Sequence, residues 1–278
     1  MRELNQYISE KLQISRNKKT INYTLFPKDK NELLEIIQKE MKINGKRCSL
    51  NHIDVSQITD LSYLFSFGSA QLFTDTSIFE FNGDISGWDV SNVKNMQYMF
   101  SGSKFDGDLS TWDVSKVINM THMFTGSSFT GKNGDISNWD VSKVTRMIEM
   151  FASAEYNGDI SKWNVSKVKN MSGMFSRSKF NNDISNWDVS NVKIMDRMFE
   201  YSEFNGDISR WNTGKCESFY SMFSNSIFNG DISNWNTSKV DSMFSMFMNS
   251  KFNQPIGNWD ISNVDDIDYM FYDSQFNQ

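Results

Sequence analysis

Cysteine is nearly missing from this chain. Two in 278 residues leave no disulfide framework to build on. Cys48 precedes the repeated part of the sequence and Cys216 lies well inside it. At roughly 4.8 Å per stacked strand they are expected to be on the order of 29 Å apart, too far to bridge, so both read as free thiols. Cys216 stands where the other tryptophan-marked units carry Val, the place of a small buried hydrophobe. Positive charge is also short: 28 Lys and Arg against 34 Asp and Glu give a net charge of −6. Such a chain has no basic face with which to displace counterions, and nucleic acid is excluded as an expected partner. No run approaches 18 apolar residues, so no membrane span is expected. The start, Met1-Arg-Glu-Leu-Asn5, lacks the basic, apolar and small-residue segments of an export signal. A cytoplasmic or virion-associated location is therefore expected over the cell surface. Histidine occurs twice, as His52 and His122, neither beside a unique Ser, Cys or carboxylate pair. No catalytic group, metal site or enzyme activity is expected.

What the chain has in abundance is itself. Its eight tryptophans, at 88, 112, 139, 163, 187, 211, 235 and 259, mark one position of a unit that recurs every 24 residues, with a single gap of 27. A period of this length signals a stacked repeat architecture. The unit's first half occurs once more upstream, in Ile53-Asp-Val-Ser-Gln-Ile-Thr-Asp-Leu-Ser-Tyr-Leu-Phe65, with Ile in place of Trp. Three regions follow: an N-terminal helix and linker over 1–20, a cap over 21–52 and a repeat array over 53–278. In the cap, Pro27-Lys-Asp29 opens a helix with apolar Leu33, Ile36, Ile37 and Met41, and Asn44-Gly45 ends it. Residues 66–80 interrupt the first repeats with a segment rich in aromatics, expected to fold back over the array.

Within one unit, Val93, Met96, Met99 and Phe100 fall at i, i+3, i+6 and i+7, the stripe of a two-turn helix with Ser91 at its amino end. Glycine then recurs at 83, 107, 134, 158, 206 and 230, with Asn182 once in its place, which points to a left-handed turn. Leu109, Trp112 and Val114 read as a short strand that pairs in parallel with its copy in the next unit. The expected fold class is α/β, a solenoid of about nine coils, each with a strand and a helix. Fourteen of the seventeen methionines sit at the two helix positions and read as core rather than as a metal stripe.

The pattern Trp-Asp-Val-Ser-x-Val-x-x-Met-x-x-Met-Phe, preceded by Phe-Asn-Gly-Asp-Ile-Ser as in Phe81 to Phe100, resembles the repeat of BspA-like leucine-rich-repeat surface proteins. The resemblance covers about residues 53 to 278. It implies a right-handed solenoid related to leucine-rich repeats and an adhesion or interaction role, with no catalytic residues to carry over.

Two acidic columns invite an ion. Asp84, Asp108, Asp135, Asp159, Asp183, Asp207 and Asp231 follow the turn glycine or Asn182, yet only one carboxylate per turn does so, and Pro255 stands in the same column. Hard cations want six or more oxygens, so hydrogen bonding within the turn is expected, and no calcium. In the column after each Trp, Asn164, Asn212 and Asn236 replace Asp, so a side-chain acceptor is what that position needs.

A binding surface shows itself where repetition lapses. Tyr201, Tyr220, Phe244, Met248, Tyr269 and Tyr272 are apolar or aromatic where other units carry polar residues, and Asp265, Asp266 and Asp268 make the last unit acidic. These residues are the candidate surface for a protein partner, set on the outer face of the expected helices. The expected function is a nonenzymatic, adhesion-type protein-binding module; the alternative is a structural or packaged component of a phage particle. The last unit carries no downstream cap and is a further expected point of assembly.

Overall fold

The computed structural model describes residues 21–68 and 76–278. The helix expected over residues 1–15 lies outside them, as does the middle of the aromatic segment that interrupts the first repeats.

Helix α1 (Lys30–Asn44) forms where the cap sequence places it. The Asp29 side chain accepts the Glu32 N–H at its amino end, and Gly45, at φ 83°, returns its N–H to the Met41 carbonyl. Leu33, Leu34, Ile37 and Met41 are buried in the same core as Leu50 of the cap and Ile53 and Leu61 of the first repeat. Lys30 Nζ donates to Ser62 Oγ (2.9 Å) and to the Ser62 carbonyl (3.3 Å), which fixes the helix to the array. A 3-10 helix, Thr76–Glu80, lies next to α1. Its Phe79 carbonyl accepts the Lys104 N–H, and its ring meets Phe67 edge-on at 5.0 Å.

The repeats overturn the expected right-handed, leucine-rich-repeat-like α/β solenoid. Among the described residues there is no sheet, and no repeat contains a helix or a strand; the chain pairs with itself only through isolated parallel bridges. One file of these bridges runs from Asp60 through Asn95, Asn119, Arg146, Asn170, Ile194, Ser218 and Ser242 to Asp266. Parallel pairing therefore occurs in this file, one residue per repeat, within the segment that reads as helix.

The reason lies in a spacing that two structures share. Met99 donates to the Met96 carbonyl, Ser101 to Tyr98 and Ser103 to Phe100, a chain of i→i+3 turns that repeats an apolar residue every three to four positions, as a helix would. The first and third of these turns carry a left-handed residue at their third position, Tyr98 (φ 56°) and Gly102 (φ 66°), the mark of a type II turn. Each left-handed residue turns the backbone away from a helical course. The N–H groups of Met96, Tyr98, Phe100 and Gly102 then point along the stack and donate to Asn119, Thr121, Met123 and Thr125 of the next repeat at 2.8–3.0 Å. The expected strand is likewise a pair of turns, Trp112 to Leu109 and Val117 to Val114.

The turn glycines need space rather than handedness. None of Gly83, Gly107, Gly134, Gly158, Gly206 and Gly230 has positive φ. A Cβ on Gly107 would sit 2.7 Å from the Phe105 ring, and one on Gly230 2.8 Å from Phe228. At five of the six the aromatic residue two positions earlier folds over the glycine and leaves no room for a side chain, and at Gly134 the space is taken by Asp108 of the preceding repeat.

Stacking buries nearly every large apolar residue. All eight indoles are 3–9% exposed, and each Nε1–H donates at 3.0–3.1 Å to an Ile or Leu carbonyl of the preceding repeat. Beside them Phe65, Phe100, Phe124, Phe151, Phe175, Phe199, Phe223, Phe247 and Phe271 form a continuous ladder, 5.6–6.0 Å from ring to ring. Fully burying a ring of about 200 Å² contributes roughly 5 kcal/mol at ~25 cal/mol per Å², so the aromatic columns dominate stability. An asparagine ladder runs on the surface: Asn157, Asn181, Asn205, Asn229 and Asn253 each accept the backbone N–H 24 residues on, at 2.8–3.0 Å.

Candidate interaction surface

The polar columns are consumed by the turns. Asp84, Asp108, Asp135, Asp159, Asp183, Asp207 and Asp231 each accept the N–H of the serine two residues on, at 2.8–3.0 Å. The second column does the same, and Asn164 and Asn236 serve as well as Asp188 and Asp260. These bonds hold the carboxyls of Asp159, Asp207 and Asp231 below their ordinary range, the backbone N–H being the main cause. Among the described residues no cluster of three or more His, Cys, Asp or Glu is placed to hold a metal ion. Cys48 and Cys216 are free thiols; Cys216 is buried, and burial pushes its thiol up to about 12. No helix among the described residues is long and apolar enough to cross a membrane.

The variable residues gather on the face made by the type II turns, not on helices. Repeats from Tyr98 onward place two residues at positive φ, four apart, the first of them three residues after the bridge residue. At the N-terminal end of this face Tyr63 stacks on Tyr98 (4.7 Å) and Tyr98 on His122 (4.3 Å). His122 Nδ1 lies 3.4 Å from Glu149 Oε2 and 3.2 Å from Thr125 Oγ1. Burial lowers the pKa of His122, and the charge of Glu149 offsets that only in part.

At the C-terminal end a second aromatic run brings together four of the candidate residues. Tyr220 stacks on Phe244 at 5.2 Å, Phe244 meets Tyr269 edge-on at 5.7 Å, and Tyr269 meets Tyr272 at 5.8 Å. Tyr269 and Tyr272 are 58% and 62% exposed. Tyr201 lies apart from the run, on the other left-handed column, beneath the Arg177 guanidinium at 4.2 Å. Met248 is half-buried, its carbonyl taken by the Asn225 N–H. Of the acidic candidates, Asp266 accepts the Asp268 N–H at 3.3 Å and pairs with Ser242, while Asp265 and Asp268 are exposed in the same repeat as the two tyrosines.

Between the two aromatic runs the face opens into a cleft of about 550 Å³, lined by Thr125, Glu149, Gly173, Arg177, Arg197 and Tyr220 among others. Its floor exists because two successive repeats carry Ala152, Ser153, Ser172, Gly173 and Ser176. Gly173 (φ 59°) leaves room for the Glu149 side chain, since a Cβ there would lie 2.6 Å from Glu149 Cγ; the flanking repeats carry Glu149 and Arg197 at the same left-handed position. Asp196 at the cleft wall accepts from Ser218 Oγ (2.5 Å) and from the Tyr220 N–H (3.2 Å), and burial pushes its carboxyl up. Arg197 lies over the Tyr220 ring at 5.0 Å. Added aromatic residues alone do not mark this cleft in the sequence. Its signal is a loss of bulk at matching positions of adjacent units.

A uniform buried interior with one variable face defines a repeat protein. The chain belongs to the family described as Mycoplasma protein of unknown function, DUF285, whose family model matches residues 32–155, 127–227 and 200–278. No curated protein and no solved structure matches it.

Proposed function

We propose that this repeat protein is a nonenzymatic binding module that takes a protein partner on its turn face, in the adhesion-type manner of the BspA-like surface proteins its repeat resembles. The observation that carries the reading is the Tyr220–Phe244–Tyr269–Tyr272 run. The indoles and phenylalanines of the core are already buried, so these rings are surplus to folding. Aromatic residues on a rigid backbone give large contact area at little entropic cost, which is what interface centres favour. The histidines support a structural role, His52 beside Glu40 at 3.6 Å in the cap region and His122 beside Glu149.

The test is recovery of partners by the intact chain against a variant carrying Tyr220→Ser, Phe244→Ser, Tyr269→Ser and Tyr272→Ser. Loss of specific partners with an unchanged melting temperature is expected. Equal recovery by both forms removes this surface.

A further inference from the structure

We infer that the cleft between the two aromatic runs receives a carboxylate side chain from an acidic peptide segment of the protein partner; this deepens the reading above and rests on it. The cleft holds two acids and two arginines; no ion pair or hydrogen bond joins them, and the Arg197 charge acts on Asp196 only across space, as one of the smaller influences on that carboxyl. Glu149 is drawn to His122, and the Asp196 oxygens are bonded to Ser218 and Tyr220. Arg177 and Arg197 are exposed, and among the described residues neither guanidinium forms an ion pair or a hydrogen bond. Each is instead held over a tyrosine ring, Arg177 on Tyr201 and Arg197 on Tyr220. A guanidinium fixed over a ring keeps its planar donor fork free, and that fork matches a carboxylate in bidentate geometry.

Geometry also sets the partner's spacing. Tyr220 belongs both to the cleft and to the aromatic run, so one extended segment can occupy both. From the repeat of Arg197 to that of Tyr269 is three steps of the stack, ~14 Å at roughly 4.8 Å each, or about four residues of extended chain. The partner segment carries an acidic residue and, about four positions away, a bulky apolar residue that lies against Phe244 and Tyr269.

Short synthetic peptides carrying one glutamate and one phenylalanine at varied separation, on a serine and asparagine background, test this directly. Binding is expected to peak at a separation of about four and to weaken about tenfold or more when glutamate becomes glutamine, as loss of a charge-assisted bond implies. The double variant Arg177→Gln, Arg197→Gln should abolish the difference between glutamate and glutamine peptides without a change in melting temperature. Lys179→Gln, a neighbouring cation already paired with Glu155, should preserve it. Equal binding of glutamate and glutamine peptides overturns the inference, as does preference for phosphoserine with glutamate no better than glutamine, or no peptide binding tighter than about 1 mM. If phenylalanine dependence survives and is lost in the four-residue aromatic variant while glutamate dependence is absent, the face stands and the carboxylate pocket falls. If both dependences are absent, both readings fall.

Discussion

At the scale of single residues, most polar side chains here close turns. Asp188 accepts the Ser190 N–H at 3.0 Å, and the same place is filled by Asn in other repeats. Asp188→Asn is therefore expected to leave stability at neutral pH within about 0.5 kcal/mol, and Asp188→Ala to cost about 1 kcal/mol, measured by urea denaturation. The side-chain and backbone hydrogen bonds from Ser190 hold the Asp188 carboxyl below its ordinary value of 3.8. Its contribution is thus fully present above about pH 3.8 and is lost as pH falls through the lower folded value, so acidification should erode the wild type towards Asp188→Asn. The need for an acceptor in this column was legible from Asp–Asn exchange. The reason for the glycines was not, because the ring folding over Gly107 belongs to Phe105 and only its three-dimensional course shows that space is the constraint. Gly107→Ala should cost several kcal/mol by forcing that ring out of its stack, as overpacked cores do, and should lower the melting temperature accordingly.

At the scale of elements, α1 could be read directly: its cap residues, its apolar stripe and its terminal glycine are local signals. The repeat's own elements could not, since i→i+3 turns and helices put apolar side chains at nearly the same intervals. What separates them is φ, and the left-handed positions hide because only Gly102, Gly126 and Gly173 among them are glycine, the others including Tyr98, His122, Glu149, Arg177 and Arg197. A non-glycine residue in that region stores roughly 1 kcal/mol of strain. Ser245 is buried, sits at φ 53° and has a small side chain to lose. Ser245→Gly is expected to raise stability by up to about 1 kcal/mol, the relief of strain exceeding the added freedom of the unfolded chain. A lower denaturation midpoint for this variant would contradict the turn assignment.

At the scale of the whole molecule, stability is a property of neighbours. Each indole is buried and hydrogen-bonded to the preceding repeat, so its loss weakens both its own repeat and the junction with its neighbour. Trp163→Ala should cost about 3–5 kcal/mol, and Trp259→Ala less, because Trp259 is the most exposed of the eight at 9%. Hydrogen exchange should place the slowest amides in the central repeats and the fastest around Trp259. The period and the buried set were visible in the sequence because every repeat writes them again. The cleft was not, since Glu149, Gly173 and Arg197 come from three different units and only stacking makes them walls of one space.

The bonds from Tyr98 to Thr121 and from Phe100 to Met123 recur, atom for atom, in most later repeats. A segment of 24 residues copied into the middle of the gene would therefore meet neighbours chemically indistinguishable from its original ones. Both junctions would close without a new contact having to be invented. Unequal recombination can lengthen or shorten such a molecule in whole units, while point changes on the variable face retune recognition separately, so reach and specificity evolve as independent traits.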